Sequence, residues 1–346
     1  MYGMKRTILT TLFVVSIMLS AEAVTWSDIE QHLKISGYMQ LLYNWEYANS
    51  KTENSSFRIR RARVSFAGKI AEGERFGVAD YRLQVDFAES PKIVDAWVRY
   101  RPLRQLGIQA GQFKIPLSIE NSEYAPLKLE FIDYSLVIQR LVRMSSNDVL
   151  GISSAGRDCG VQLYGGFFER SKGFNLVNYN IALFNGNGIN KKSDNDHSKD
   201  IVGRVMLSPL RDLSVAGYYQ YGEGVFNSKY IRYQRYGGGV AYNGQHAFAR
   251  AEYIAGVTAS LHSEGAYASA GWKFHTPKAG SGSVGARFDY FDEDIYTSSR
   301  EFNYTLGIAY QPWRYMRLQL NYTLKQYQHH DRVIGHNLLV MVSGIF

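Results

Sequence analysis

From about residue 33 to the C-terminus, apolar and polar side chains alternate with a period of two, and the pattern returns about sixteen times. Phe302, Tyr304, Leu306, Ile308 and Tyr310 share one face, while Asn303, Thr305, Gly307 and Ala309 share the other. After Gln311-Pro312-Trp313-Arg314, Met316, Leu318, Leu320, Tyr322 and Leu324 alternate with Arg317, Gln319, Asn321, Thr323 and Lys325. A chain written this way must form strands with one apolar and one polar face. In a soluble sandwich the apolar face is a core. In a membrane barrel it meets lipid and the polar face lines an enclosed lumen.

The connections separate these two architectures. Short turns are expected at 71–76, 101–104, 170–173, 209–210, near Gly244, 277–282 and 312–314. Longer polar connections are expected at 48–55, 116–157, 186–198, 223–231, 256–262, 292–300 and 328–332, with a short turn near residue 90 as the exception. Short and long connections in turn are the mark of an antiparallel barrel with its turns in the periplasm and its loops outside. The reading is a 16-stranded antiparallel transmembrane β-barrel, a common count for water-filled barrels.

The N-terminus agrees. Lys5 and Arg6 precede an apolar run from Ile8 to Leu19 that is shorter than the roughly 20 residues a membrane helix needs. Ala21-Glu22-Ala23 then fits a cleavage site, so residues 1–23 are expected to be an export signal and 24–346 the barrel. Without Lys5, Arg6 and Glu22 the chain carries 37 basic and 30 acidic side chains, a net charge of +7. Tyr 26 and Phe 18 suit the aromatic girdles of a membrane barrel. Cys159 stands alone, so no disulfide framework is expected.

The third long connection, 116–157, is too long to be structureless in a compact fold. Its segment from Leu127 to Leu141 carries Leu129, Phe131, Ile132, Leu136, Val137, Ile138 and Leu141. We expect it to fold inward and narrow the lumen, rather than cap the barrel outside or latch a neighbouring subunit.

Two further features carry a resemblance. The run Phe57-Arg58-Ile59-Arg60-Arg61-Ala62-Arg63-Val64-Ser65-Phe66-Ala67-Gly68 is similar to the Arg-Arg-Ala-Arg strand of the phosphate-selective porin O and P family. Asp95-Ala96-Trp97-Val98-Arg99-Tyr100, Gly111-Gln112-Phe113-Lys114-Ile115-Pro116-Leu117 and Ile119-Glu120-Asn121 follow in that family's order. The closing strand ends on Phe346, which resembles the C-terminal aromatic read by the outer-membrane barrel assembly machinery. The resemblance implies a homotrimeric diffusion channel in the Gram-negative outer membrane, surrounded by lipid and lipopolysaccharide. Phe131-Ile132-Asp133-Tyr134-Ser135-Leu136 stands where such proteins carry a Met-Glu-Arg-Ser-type run, so the resemblance leaves the solute open.

In a diffusion channel the functional groups are the lumen charges. Alternation turns Arg61, Arg63, Arg82, Asp86, Asp95 and Arg99 inward, and Lys114 ends the strand that launches the long connection. Arg61, Arg63, Arg82, Arg99 and Lys114 would form one positive wall. Glu120, Glu123, Glu130 and Asp133 on the connection are expected to face it, with Arg140 and Arg143 adding positive charge. The far wall is mixed, with Arg204, Arg250, Glu252, Arg287, Asp289, Arg317 and Lys325. The expected function is passive passage of small polar or anionic solutes, phosphate or polyphosphate among them.

The other reading is a barrel without a transport role, an enzyme or a surface adhesin. Its eight His residues are scattered and none pairs with a Ser in a recognisable motif, so no catalytic residues are assigned. His329-His330-Asp331 is read as a loop and no metal site is assigned. No cofactor is expected. The basic residues from Arg58 to Arg63 sit within an alternating strand, which excludes nucleic acid as a partner.

Overall fold

The computed structural model describes residues 32–48, 51–73, 77–170, 173–194, 196–226, 229–277, 279–297, 299–328 and 332–346. The expected export signal and the His329-His330-Asp331 triplet lie outside the described residues. The strands are β1 (Lys34–Ala48), β2 (Lys51–Gly73), β3 (Gly77–Asp86), β4 (Lys92–Leu103), β5 (Leu106–Lys114), β6 (Arg157–Glu169), β7 (Asn175–Phe184) and β8 (Asp200–Leu210). They continue with β9 (Leu213–Phe226), β10 (Lys229–Asn243), β11 (Ala247–Thr258), β12 (Leu261–Thr276), β13 (Gly280–Asp292), β14 (Arg300–Trp313), β15 (Met316–Gln328) and β16 (Arg332–Ile345). Between β5 and β6 lie two short helices, α1 (Ile119–Glu123) and α2 (Leu136–Leu141), and a 3₁₀ turn over Pro126–Lys128.

Each strand pairs antiparallel with its neighbours in sequence, and β1 pairs with β16 to close the ring. Closure removes every sheet edge, so no row of backbone donors faces lipid unpaired. The last link joins Gly37 and Phe346 through two backbone hydrogen bonds of 2.9 and 3.0 Å. Gly37 is required there: a Cβ would stand 2.3 Å from the Phe346 ring and 2.6 Å from the Arg63 carbonyl oxygen.

The two faces divide as the period-two pattern demands. On β14, Leu306 and Ile308 are 64% and 49% exposed, while Asn303 and Thr305 on the other face are buried. Ile59, Ile108, Val161, Ile181, Val205 and Leu320 extend the exposed apolar belt round the barrel. At the turn end, Tyr81, Tyr179 and Tyr310 donate hydroxyls to the backbone oxygens of His32, Gln105 and Ala279, and Trp272 and Trp313 are exposed. An aromatic ring with a wet polar end suits a membrane interface. No helix among the described residues is long and apolar enough to cross a membrane, which says nothing of strands.

Three expected loops are not loops. The connections expected at 48–55, 223–231 and 256–262 shrink to two residues, with Ala48 opposite Lys51, Phe226 opposite Lys229 and Thr258 opposite Leu261. Segments such as Lys51-Thr52-Glu53-Asn54-Ser55-Ser56 are polar on both faces, so alternation disappears while the backbone ladder continues. Beyond the lipid both faces can be wet, and pairing needs no apolar side chain. The connections 115–156, 185–199 and 293–299 remain and lie at the same end of the barrel.

The largest apolar cluster joins that first connection to the strands. Leu129, Leu136, Val137, Ile138 and Leu141 pack with Phe184 of β7, Val202 of β8, Tyr218 of β9, Ile254 of β11, Tyr267 of β12 and Phe291 of β13. Ile132 packs separately with Leu42, Leu339 and Met341 of β1 and β16. Each such aliphatic side chain contributes about 1.5–3 kcal/mol on burial.

Candidate functional site

A break in the alternation of β2 arranges the arginines. Gln40 pairs with Arg61 and Leu41 with Ile59, leaving Arg60 as the extra residue of a β-bulge. The bulge turns Arg60 and Arg61 to the same side. Arg60 forms an ion pair with Asp133, and Arg61 donates to Gln40 Oε1 at 2.9 Å. Phe57 and Ile59 stay exposed, and Arg58 lines a cavity with Asp133. Strict alternation from Arg63 back would have turned Ile59 in and Arg58 and Arg60 out. The signal was in the sequence as two adjacent polar residues, Arg60-Arg61, between apolar positions 57, 59 and 62, 64, 66.

The basic wall is largely neutralised. Arg63 Nε donates to Asp86 Oδ2 at 2.8 Å, both side chains being buried. Asp95 accepts from Arg157 Nε at 2.7 Å, with Arg82 at 3.6 Å on its other oxygen. Arg99 makes a two-pronged pair with Asp80 at 2.8 and 2.5 Å and lies over the Trp97 ring. Lys114 Nζ donates to the carbonyls of Asn121 and Tyr124 at 2.5 and 2.8 Å. Asp80 and Arg157 were not singled out from sequence, because a partner across two strands leaves no spacing to read.

The expected set of acids facing that wall needs correction. Glu120 and Glu130 approach Arg250 on β11, at 3.9 and 2.5 Å. Glu123 approaches Arg204 on β8 at 2.6 Å. Only Asp133 meets a β2 arginine. Arg250 also lies 3.7 Å from the centre of the Tyr124 ring, so the stretch from Glu120 to Glu130 is gathered on one far-wall cation. Arg140 donates to Glu301 Oε2 at 2.8 Å. Arg143 is buried between Asp158 and Asp200 at 2.7 and 2.6 Å, with Tyr233 also in contact.

The backbone of the 115–156 connection is held by strand side chains. Glu252 accepts from the N–H groups of Ile119 and Glu120 at 2.6 and 2.8 Å and from the Ser118 hydroxyl at 3.1 Å. A carboxylate there satisfies the free N–H groups that open α1. Ile132 N–H donates to Asn321 Oδ1 at 2.8 Å and Leu136 N–H to Asp289 Oδ1 at 2.9 Å. Arg317 donates to the carbonyls of Leu127 and Leu129. Within the connection, burial pushes the Tyr134 hydroxyl up to about 12 and raises the Asp148 carboxyl.

A cavity of about 450 Å3 opens beside this connection. Its lining includes the cations Arg63, Arg82, Lys114, Lys128, Arg157 and Arg204, but only two acids, Asp95 and Glu123. Gln84, Gln109, Gln162 and Asn180 supply neutral amides. A second cavity of about 210 Å3 lies between Arg58, Asp133, Arg140, Arg287, Glu301 and Lys325. Groups of three or more His, Cys, Asp or Glu placed to hold a metal ion are absent among the described residues.

The model of the phosphate-selective porin O and P family matches residues 34–220. The chain belongs to that family. The porin is a passive diffusion channel of the Gram-negative outer membrane, and family and fold point to a channel rather than an enzyme. No curated protein sequence matches it significantly. Its fold is similar to the anion-selective porin from Comamonas acidovorans, with a TM-score of 0.70 and 12% identity over 91% of this porin and 99% of the other. It is also similar to OprB of Pseudomonas putida, with a TM-score of 0.68 and 8% identity over 94% and 100%. The trimer form of OmpT, an outer membrane protein of Vibrio cholerae, gives a TM-score of 0.62 and 10% identity over 91% and 100%.

Proposed function

We propose that the 115–156 connection folds into the lumen as a constriction, and that the path left beside it favours small anions over cations. The observation that carries this reading is the hold of inner-face side chains on the connection's own backbone: Glu252, Asp289, Arg317 and Asn321 come from three strands of the far wall. A segment tied there leaves an opening toward β2–β8, where six cations and two acidic side chains line the cavity and Lys114 and Lys128 stand beside the ion-paired Arg63, Arg82, Arg157 and Arg204. Fixed charge at a narrow water-filled passage selects by sign. The proposed lining groups are Arg61, Arg63, Arg82, Arg99 and Lys114 with Asp86 and Asp95, opposed by Glu123 and Asp133.

The same reading gives a homotrimer, in keeping with the OmpT trimer form. It also has residues 24–346 as the mature barrel, bedded in lipid and lipopolysaccharide and delivered by the barrel assembly machinery through Phe346. The test is the reversal potential of the purified channel in a planar bilayer across a potassium chloride gradient. Anion preference gives a potential of the chloride sign, and a potential of the potassium sign refutes it.

A further inference from the structure

The second cavity, of about 210 Å3, is walled by the connection on one side and by β13–β16, β1 and β2 on the other. Three levels of that strand wall form a polar row. Asn303 of β14 faces Lys325 of β15, the next pair on the same face is Thr305 with Thr323, and the next is Gly307 with Asn321. Asn303, Thr305, Thr323 and Asn321 all line the cavity, and each is more than nine-tenths buried.

The neighbours of the two amides fix which way each one turns. Asn303 Nδ2 donates to Glu301 Oε1 at 3.1 Å, so its oxygen points away from Glu301. Ile132 N–H donates to Asn321 Oδ1 at 2.8 Å, so the Asn321 nitrogen points away from Ile132. Asn303 Oδ1 and Asn321 Nδ2 are then left without a hydrogen-bond partner among the described residues. Buried polar groups call for partners. Between them the Thr305 and Thr323 hydroxyls share one hydrogen bond of 2.9 Å, which uses only one of their two protons. The row thus offers an acceptor at one end, a hydroxyl pair in the middle and a donor at the other. It runs over four residues of strand, roughly 13 Å.

The charges around the row are largely answered in place. Lys325 meets Glu46 at 2.6 Å, Arg140 meets Glu301 at 2.8 Å, Arg287 meets Asp289 at 2.8 Å, and Asp133 pairs with Arg60. Arg58 is the lining cation without an ion pair among the described residues. An oxyanion can accept from Arg58 and Asn321, but it has no proton for Asn303 Oδ1. A cation can donate to Asn303, but it has no lone pair for Asn321 Nδ2. A hydroxyl can do both. One hydroxyl cannot serve both ends, so the row suits several of them on one carbon frame.

We propose that this row is a binding subsite for neutral polyhydroxylated solutes of about disaccharide length. The inference goes beyond the charge selectivity proposed above and rests on that reading only for the placement of the connection inside the barrel. Such a solute donates to Asn303, exchanges hydrogen bonds with the threonine pair and accepts from Asn321, displacing several waters at once.

The experiment titrates the detergent-solubilised full chain with sucrose by calorimetry and records the current of the same preparation in planar bilayers. Saturable sucrose binding is expected. Glycerol, too short for the row, and malonate and choline, each of one charge sign, are expected not to compete for it. Thr305→Val with Thr323→Val removes both hydroxyls at nearly constant shape, and Asn303→Leu removes the free acceptor. Asn321→Asp keeps the acceptor for Ile132 N–H and removes the free donor. Each change is expected to weaken sucrose about fivefold, as the loss of one net hydrogen bond does. Asn178→Leu alters a β7 amide that lines neither cavity and is expected to leave sucrose binding unchanged. No saturable heat from a wild-type protein that gives stepwise current means that the row holds water only. That result overturns the proposal and leaves the channel reading standing. Unchanged binding in folded row variants, equal weakening by Asn178→Leu, or competition by glycerol, malonate or choline overturns it as well. Sucrose binding by a wild-type protein that passes no current upholds the subsite and sinks the channel reading.

Discussion

Arg143 Nη2 lies 2.6 Å from Asp200 Oδ2, and both side chains are withdrawn from solvent. The pair ties the end of the 115–156 connection to the first residue of β8, and Asp158 at the start of β6 takes the other guanidinium nitrogen. Burial works against the Arg143 charge, but Tyr233, Asp200 and Asp158 outweigh it and hold the guanidinium charged. Removing one partner of a buried charge group leaves the others uncompensated, at about 3–5 kcal/mol. Arg143→Met is therefore expected to lower the thermal midpoint at which the barrel loses its compact, detergent-resistant form. Adding Asp200→Asn to that variant should recover part of the loss. A midpoint unmoved by Arg143→Met would remove the network's structural role.

The ion pair of Arg60 and Asp133 gives a pH dependence whose sign can be worked out. Burial alone would raise the Asp133 carboxyl, but Arg60 outweighs it and holds it below the ordinary value of 3.8. A lowered value in the folded state means the contribution is fully present above the ordinary aspartate range and is lost as pH falls through the lower folded value. The share of single-channel conductance that depends on this pair is therefore expected to hold down to about pH 4 and to change only below it. Asp133→Asn at neutral pH should reproduce the acid behaviour. A transition centred near neutrality would assign the pH response to another group.

Much of this fold was legible because a membrane barrel writes its geometry into alternation. The sixteen strands, their order and the closing role of the last one follow from side-chain period and turn chemistry. The strand extensions at Lys51, Lys229 and Leu261 were not legible, since residues wet on both faces carry no period. The site was legible only as a set of charges. Which acid meets which base depends on how a 42-residue connection crosses between strands, so Glu120 and Glu130 were assigned to the wrong wall. The Arg60 bulge lies between these cases, visible as a slip in parity within the Arg60-Arg61-Ala62-Arg63 motif.

That slip separates two arginines that the sequence treats alike. Arg63 is neutralised by Asp86 at 2.8 Å, whereas Arg61 rests on the Gln40 amide without a carboxylate contact among the described residues. A neutralised cation adds little to the field a passing ion meets, so Arg61 should count for more than Arg63. Arg61→Gln is expected to shift the reversal potential toward cations more than Arg63→Gln, and Arg61→Glu further still. Arg63→Glu confronts the buried Asp86 with a second acid, so its yield of folded barrel should fall. A larger shift from Arg63→Gln than from Arg61→Gln would contradict this ordering.

The constriction itself can be tested by excision. Replacing residues 129–141 with a short Gly-Ser link removes Leu129, Val137, Ile138 and Leu141 from the main cluster and Ile132 from the second. It spares Arg143, and it spares Asn121 and Tyr124, the acceptors of Lys114. The strand ladders do not pass through this segment, so the barrel should still close. Stability should fall, because each lost aliphatic contact removes about 1.5–3 kcal/mol of burial and leaves Ile254, Tyr267 and Phe291 facing water. Conductance should move the other way. On the proposed reading the excision widens the path, and the single-channel step is expected to rise while charge selectivity weakens. A folded excision variant with an equal or smaller step would mean that this connection does not set the width of the path.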